Sequence, residues 1–149
     1  MPVYNSDVAD MFNEVADLLD IEGANPYRVR AYRDAARTVS TMSREVNDMV
    51  REGEDLTELS GIGEDLAGKI REIVETGDLK QLEEIEQRTP PELAKMLDLA
   101  GLGPKRVQTI REELGVTSMS ELRKAAEQGQ IRELYGLGPK TEQKILEDL

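Results

Sequence analysis

A chain of 149 residues with 38% apolar and 34% charged residues is long enough for one soluble domain or two small ones. It holds no cysteine and no histidine, which removes disulfides, thiolate metal sites, catalytic Cys–His pairs and Ser–His–Asp triads together. The net charge of −12 argues, taken as a whole, against a nucleic-acid partner, and 3% aromatic residues leave an aliphatic core.

In chain order, Val8, Met11, Phe12, Val15, Leu18 and Leu19 recur at helical spacing, which predicts a helix over 6–20 with Ser6 as its cap. Asn25 then reads as an N-cap with Pro26 in the first turn of a second helix, over 26–39, that turns Val29, Tyr32, Ala36 and Val39 inward. Ser43 is expected to open a short helix carrying Val46 and Met49, and a further helix runs from Glu64 to Thr76. Asp78 is expected to cap the next, with Leu79, Leu82 and Ile85 inward. Arg88-Thr89-Pro90-Pro91 breaks the pattern and marks the domain boundary, giving domains of 1–88 and 90–149. Beyond it come helices from Pro91, from Pro104 to Leu114, from Ser118 to near Gly129, and from Pro139 to Leu149. The last has no stop signal, which fits equally a cut from a longer protein and a fraying terminus. Strand signals are absent, so the fold class is all-α, built from short helices. No apolar run approaches the roughly 18 residues of a membrane span and no basic start followed by an apolar segment suggests a signal peptide; a cytoplasmic chain with no membrane partner is expected.

Charge is unevenly placed. Residues 1–23 hold six acids and no base, and residues 45–86 hold fourteen acids against four bases. Between them Arg28, Arg30, Arg33, Arg37 and Arg44 face only Asp34. Arg30, Arg33 and Arg37 line one flank of the second helix. Five arginines gathered in an acidic chain favour DNA contact over a merely solvated face.

One short pattern occurs three times. Leu59-Ser60-Gly61-Ile62-Gly63, Leu99-Ala100-Gly101-Leu102-Gly103 and Leu134-Tyr135-Gly136-Leu137-Gly138 each precede a helix, and an isoleucine (Ile70, Ile110, Ile145) follows nine residues after each first glycine. Two glycines one residue apart let the backbone turn sharply and let another backbone approach closely. The helix that follows begins with amides lacking internal partners, and with its dipole forms an anion site suited to a DNA phosphate. A single copy is more often a packing turn. Three copies with matching flanks resemble the helix–hairpin–helix motif at 59–77, 99–115 and 134–149. Lys105 and Arg106 open the second helix, and Lys140 and Lys144 serve the third. Glu64 and Asp65 open the first and repel a phosphate. The second copy is therefore the expected best phosphate site, with the third as a second site or a brace.

Residues 25–36, Asn-Pro-Tyr-Arg-Val-Arg-Ala-Tyr-Arg-Asp-Ala-Ala, together with Leu-Ser-Gly-Ile-Gly-Glu-Asp-Leu-Ala-Gly-Lys-Ile at 59–70, resemble the amino-terminal region of bacterial and archaeal family X DNA polymerases. The resemblance implies a polymerase-beta-like small domain of lyase type over 1–88, followed by a fingers subdomain over 90–149. It implies a monomer that binds gapped or nicked duplex DNA in base excision repair. The small domain would hold the 5′-phosphate side, and the fingers hairpin the other strand. It implies a monovalent cation, sodium or potassium, on main-chain carbonyls of Thr57, Leu59 and Ile62 and of Leu97, Leu99 and Leu102. The palm carboxylates that hold magnesium would lie beyond residue 149, and no Asp-x-Asp pair replaces them here. Nucleotidyl transfer would therefore belong to further domains of the same protein, with which this part would pack. Lys69 falls at the Schiff-base position of the family's 5′-deoxyribose phosphate lyase, with Tyr32 and Arg28 lining that pocket. Asp65 stands where a base is expected, so weak or absent lyase activity is expected.

The leading functional reading is thus non-sequence-specific DNA binding through the phosphate backbone, by Arg28, Arg30, Arg33, Arg37, Gly61, Gly63, Gly101, Gly103, Lys105, Arg106, Gly136, Gly138 and Lys140. The alternatives are a lyase using Lys69 and a helical protein-interaction module.

Overall fold

The structure, a computed structural model, describes residues 2–149, which hold eight α-helices joined by short 3₁₀ turns and no strand. The all-α expectation holds. Residues fall into two compact units, one of the residues up to Ala16 with Asn25–Ile85 and one of Asp17–Ala24 with Glu86–Leu149. This grouping places residues 17–24, within the first helix and its exit, with the second unit. None of the helices is long and apolar enough to cross a membrane, among the described residues.

In the first unit, α1 (Asn5–Ile21) starts one residue earlier than the pattern suggests. The Tyr4 carbonyl accepts from the Asp7 and Val8 amides, and the Asp7 carboxylate accepts in return from the Tyr4 N–H at 2.8 Å, so Ser6 lies inside the helix rather than capping it. Asn25 caps α2 (Pro26–Thr41) as expected, its Oδ1 accepting from the Tyr27 N–H at 2.8 Å. α3 (Val46–Arg51) does not begin at Ser43. Its cap comes from α1: the buried Asn5 accepts from the Val46 N–H at 2.8 Å through Oδ1 and donates to the Arg44 carbonyl at 2.7 Å through Nδ2. α4 (Glu64–Thr76) ends at Gly77, whose φ of +79° closes it. The first amide of α5 (Lys80–Arg88) donates to Glu72 of α4 at 2.6 Å, in place of the expected Asp78 cap. A carboxylate or amide from a neighbouring helix does as well as one next door, provided tertiary packing delivers it. The core of this unit is aliphatic except for one edge-to-face pair, Phe12 on Tyr32, with ring centres 5.8 Å apart.

The second unit packs α6 (Gly103–Leu114), α7 (Met119–Glu127) and α8 (Pro139–Asp148) around Leu93, Met96, Leu102, Val107, Ile110, Leu122, Ile131, Leu137 and Ile145. Pro91 starts a 3₁₀ helix, Pro91–Met96, rather than an α-helix. Ile21 at the end of α1 joins this core. Beside it Glu22 accepts from Arg88 Nε at 2.8 Å and from the Thr89 hydroxyl, which fixes the chain break before Pro90. α7 carries a reciprocal cap. Ser118 Oγ accepts from the Glu121 N–H at 3.1 Å, and Glu121 accepts from the Thr117 N–H at 2.8 Å.

The charged side chain buried in this unit is Glu142 of α8. It accepts from Arg132 Nε at 2.8 Å, from Nη2 at 2.6 Å and from the Arg132 backbone N–H at 3.0 Å. Burial alone would raise its pKa; the Arg132 hydrogen bonds outweigh that and lower it. A lowered carboxylate contributes stability above its unfolded pKa and loses it as the pH falls through the folded value. The unit is therefore expected to lose stability as the pH drops below about 4.5. Glu142→Gln should cost on the order of 2 kcal/mol at neutral pH and flatten that acid limb, measured as Tm against pH. An unchanged acid limb would contradict this role.

Candidate nucleic-acid interface

Hairpins 1 and 3 share one backbone. In each, a four-residue turn is closed by a hydrogen bond of 3.1 Å, from the Ile62 N–H to the Leu59 carbonyl and from the Leu137 N–H to the Leu134 carbonyl. The first glycine is left-handed, Gly61 at φ +76° and Gly136 at +81°, which a side chain would strain. The second glycine is not. Gly63 (φ −89°, ψ −173°) and Gly138 (φ −137°, ψ −177°) are in extended conformations open to any residue. A Cβ built on either would meet nothing of the chain within 4 Å. Neither backbone conformation nor internal packing accounts for these two glycines.

The helices that follow the hairpins also differ from the rest in how they begin. α2 and α7 are capped by their own Asn25 and Ser118, and α3 and α5 receive Asn5 and Glu72 from elsewhere. α4, α6 and α8 have no side-chain cap. Their starts thus lack the side-chain acceptor that the other helices have.

Hairpin 2 departs from this pair. Leu99–Gly101 forms a 3₁₀ turn in which Ala100 is left-handed (φ +50°, ψ +20°), and Gly101 and Gly103 follow at +64° and +70°. Gly103 is the first residue of α6, but its φ of +70° is not helical. The Gly103 N–H donates to the Leu97 carbonyl at 3.3 Å. At the tip, the Ala100 N–H donates to Asp148 Oδ2 at 2.8 Å, so a carboxylate from the end of α8 already sits on this hairpin.

Charge and backbone therefore separate the three copies. Lys105 and Arg106 are exposed at hairpin 2, whose backbone differs. Lys140 and Lys144 are exposed on α8, behind a hairpin of regular geometry, and the acid in that first turn, Glu142, is neutralised by Arg132. Hairpin 1 keeps Glu64 and Asp65 exposed at its helix start. Its tip is held to α2 by a hydrogen bond of 2.8 Å from Thr38 Oγ1 to the Ser60 carbonyl. On α2, Arg28, Arg30 and Arg37 are exposed and Arg33 is half-buried. Arg33 and Arg37 line an open cleft of about 390 Å³ together with Ser6, Asp10, Asn13 and Ser40. Arg44 is not part of that surface: it pairs with Glu52 at 3.1 Å and with Glu54, whose carboxyl the guanidinium holds down to about 2.

Comparison with known proteins agrees with this architecture. Residues 3–79 match the Helix-hairpin-helix domain family, and residues 53–114 and 93–149 match the SAM-like Helix-hairpin-helix tandem. The chain belongs to the helix-hairpin-helix family. It is 33% identical over 126 residues, 85% of its length, to the DNA polymerase/3′-5′ exonuclease PolX of Bacillus subtilis (strain 168), and spans 21% of that protein. The family X resemblance carried by residues 25–36 and 59–70 thus extends over most of this helix-hairpin-helix chain.

The residues of the lyase pattern are placed as follows. Lys69 Nζ lies 2.6 and 2.7 Å from the two carboxylate oxygens of Asp65, one helical turn earlier. Its side chain is 17% exposed. Tyr32 is buried, its ring on Phe12 and its hydroxyl donating to Gln81 Oε1 at 2.8 Å. Of the carbonyls considered for a monovalent cation, Leu59 accepts one turn hydrogen bond in hairpin 1; in hairpin 2 both Leu97 and Leu99 already accept.

Sequence reasoning missed Asp148, Glu142 and Asn5, whose partners lie 10 to 48 residues away. The structure also shows a strained position, since Ala100 is left-handed at φ +50° whereas Ser60 and Tyr135 at the equivalent tips are not. Ala100→Gly is expected to raise the stability of the second unit by up to about 1 kcal/mol, the released strain being partly offset by chain entropy. A loss of stability in denaturant melts would show that the left-handed alanine is not strained.

Proposed function

We propose that this helix-hairpin-helix chain binds DNA by its phosphate backbone, without sequence preference. The expected substrate is a gapped or nicked duplex, and the setting a family X repair polymerase whose nucleotidyl transfer resides in other domains. The observation that carries this reading is the pair Gly63 and Gly138. Their missing side chains serve neither backbone nor core, and each stands at the mouth of an uncapped helix. What needs the space is a ligand from outside, and open amides at a helix start select an anion. The similarity to a DNA polymerase supports a DNA phosphate as that anion. Hairpin 3 combines regular geometry with Lys140 and Lys144 and is the leading contact, with Gly101, Gly103, Lys105 and Arg106 of hairpin 2 beside it. Gly61 and Gly63 of hairpin 1, with the arginines of α2, form the contact of the first unit. With a net charge of −12, affinity is set in the micromolar range of non-specific binders and falls with salt.

Gly63→Ala and Gly138→Ala test this reading. Each is expected to leave Tm within the range of a surface substitution, about 0.5 kcal/mol, because nothing in the fold opposes the methyl. Gly138→Ala should weaken binding to a gapped duplex roughly tenfold, the scale of one charge-assisted hydrogen bond, and Gly63→Ala by less, because the exposed Glu64 and Asp65 oppose a phosphate there. Wild-type affinity in both variants, read by fluorescence anisotropy at low salt, would sink the reading.

For the 5′-deoxyribose phosphate lyase, the Lys69–Asp65 ion pair favours little or no activity, since a Schiff base needs a neutral and free amine. Borohydride trapping on incised abasic DNA is expected to yield no adduct that depends on Lys69. An adduct lost in Lys69→Ala would establish the lyase. A monovalent cation, if bound, suits hairpin 1, where Thr57, Leu59 and Ile62 offer more unengaged carbonyl capacity than Leu97, Leu99 and Leu102.

A further inference from the structure

We infer that Tyr135, at the tip of hairpin 3, stacks on an unpaired or strand-terminal base and so gives the chain its preference for interrupted over intact duplex. This deepens, and rests on, the DNA-binding reading above.

The hairpin presents this ring by construction. Leu134 packs against the core of the second unit and Leu137 is buried in it, so both arms of the turn are anchored. The turn is closed between them, and Gly136 is left-handed. Of the two residues between the anchors, Gly136 makes the turn and Tyr135 projects outward, 99% exposed. The same tip position holds Ser60 in hairpin 1 and Ala100 in hairpin 2, so neither the turn nor the repeat calls for an aromatic. Aromatic residues are scarce in this chain, and Tyr135 is the sole one in Asp17–Ala24 and Glu86–Leu149. A core that lacks aromatics, beside an aromatic spent wholly on solvent, points to a use outside the fold.

The surroundings select the ligand. α8 begins four residues on, uncapped, with space for a Cβ at Gly138 and with Lys140 and Lys144 exposed. A phosphate held at that helix start brings its nucleotide alongside the tip. In an intact duplex each base face is covered by its neighbours and offers the ring little. At a gap or a strand end one face is free, and an aromatic ring covers it without regard to sequence.

The test uses the whole chain, which has no tryptophan, so Tyr135→Trp supplies a single reporter. Its fluorescence should be quenched by duplex DNA with a short single-stranded gap and much less by intact duplex of equal length. Tyr135→Ser should lose about tenfold affinity for the gapped duplex and almost none for the intact one, while Tyr135→Phe keeps both. Equal losses on both DNAs, equal quenching by both, or no quenching with affinity retained would each overturn the stacking role and leave backbone binding standing. Failure of the wild-type chain to bind either DNA would overturn both.

Discussion

A four-residue turn whose flanking leucine or isoleucine residues point inward while its glycine points outward is the constraint on which this molecule rests. At hairpins 1 and 3 a left-handed glycine reverses the chain in the space of one hydrogen bond. That reversal buries Ile62 and Leu137 and starts the next helix at once. Because the chain has few aromatic residues, each core depends on the regular delivery of aliphatic side chains, and the hairpins provide it. The cost is a helix that begins without a side-chain cap. The same geometry that closes the core thus leaves these helix starts without a side-chain acceptor. The candidate interface is a by-product of how the fold is closed.

The three copies show how far one local pattern can be bent by its neighbours. Hairpin 2 has the same residues at its key positions as hairpin 3, including Gly-Leu-Gly-Pro-Lys. Yet its tip is turned into a 3₁₀ conformation and carries the Asp148 carboxylate on its Ala100 amide. Hairpin 3 has an acid in its first helical turn, as hairpin 1 has, but Glu142 is buried and paired with Arg132, so it does not oppose Lys140 and Lys144 as Glu64 and Asp65 oppose a phosphate at hairpin 1. Net charge of a segment is therefore a poor guide to the charge a ligand meets. In the basic stretch of residues 24–44 the same holds, since Arg44 is taken up by Glu52 and Glu54 while Arg28 and Arg30 stay exposed.

Helix caps show the same division between local and distant causes. Asn25 and Ser118 lie next to the amides they serve, and both were legible as caps. Asn5 and Glu72 serve helices that begin 41 and 8 residues later, and Ser6, Ser43 and Asp78, which stand in suitable places, do not serve as expected. A cap needs an oxygen within hydrogen-bond distance of an amide, and packing decides whose oxygen arrives. Glu142 follows the same logic, since its spacing marks a first-turn acid and only burial makes it a buried anchor.

From the sequence alone come the all-α class, most helix positions, the three hairpins and the family X resemblance. Each depends on residues near one another in the chain: glycine at a tight turn, proline in a first turn, aliphatic residues at helical spacing. The sequence also placed Lys69 one turn after Asp65, and with it the ion pair that opposes Schiff-base chemistry. Only the tertiary structure decided which hairpin keeps its regular backbone, which acids are taken up by a distant arginine, and that Tyr135 is a free ring. Those outcomes turn on contacts between residues far apart in sequence, and periodicity within a helix carries no record of them.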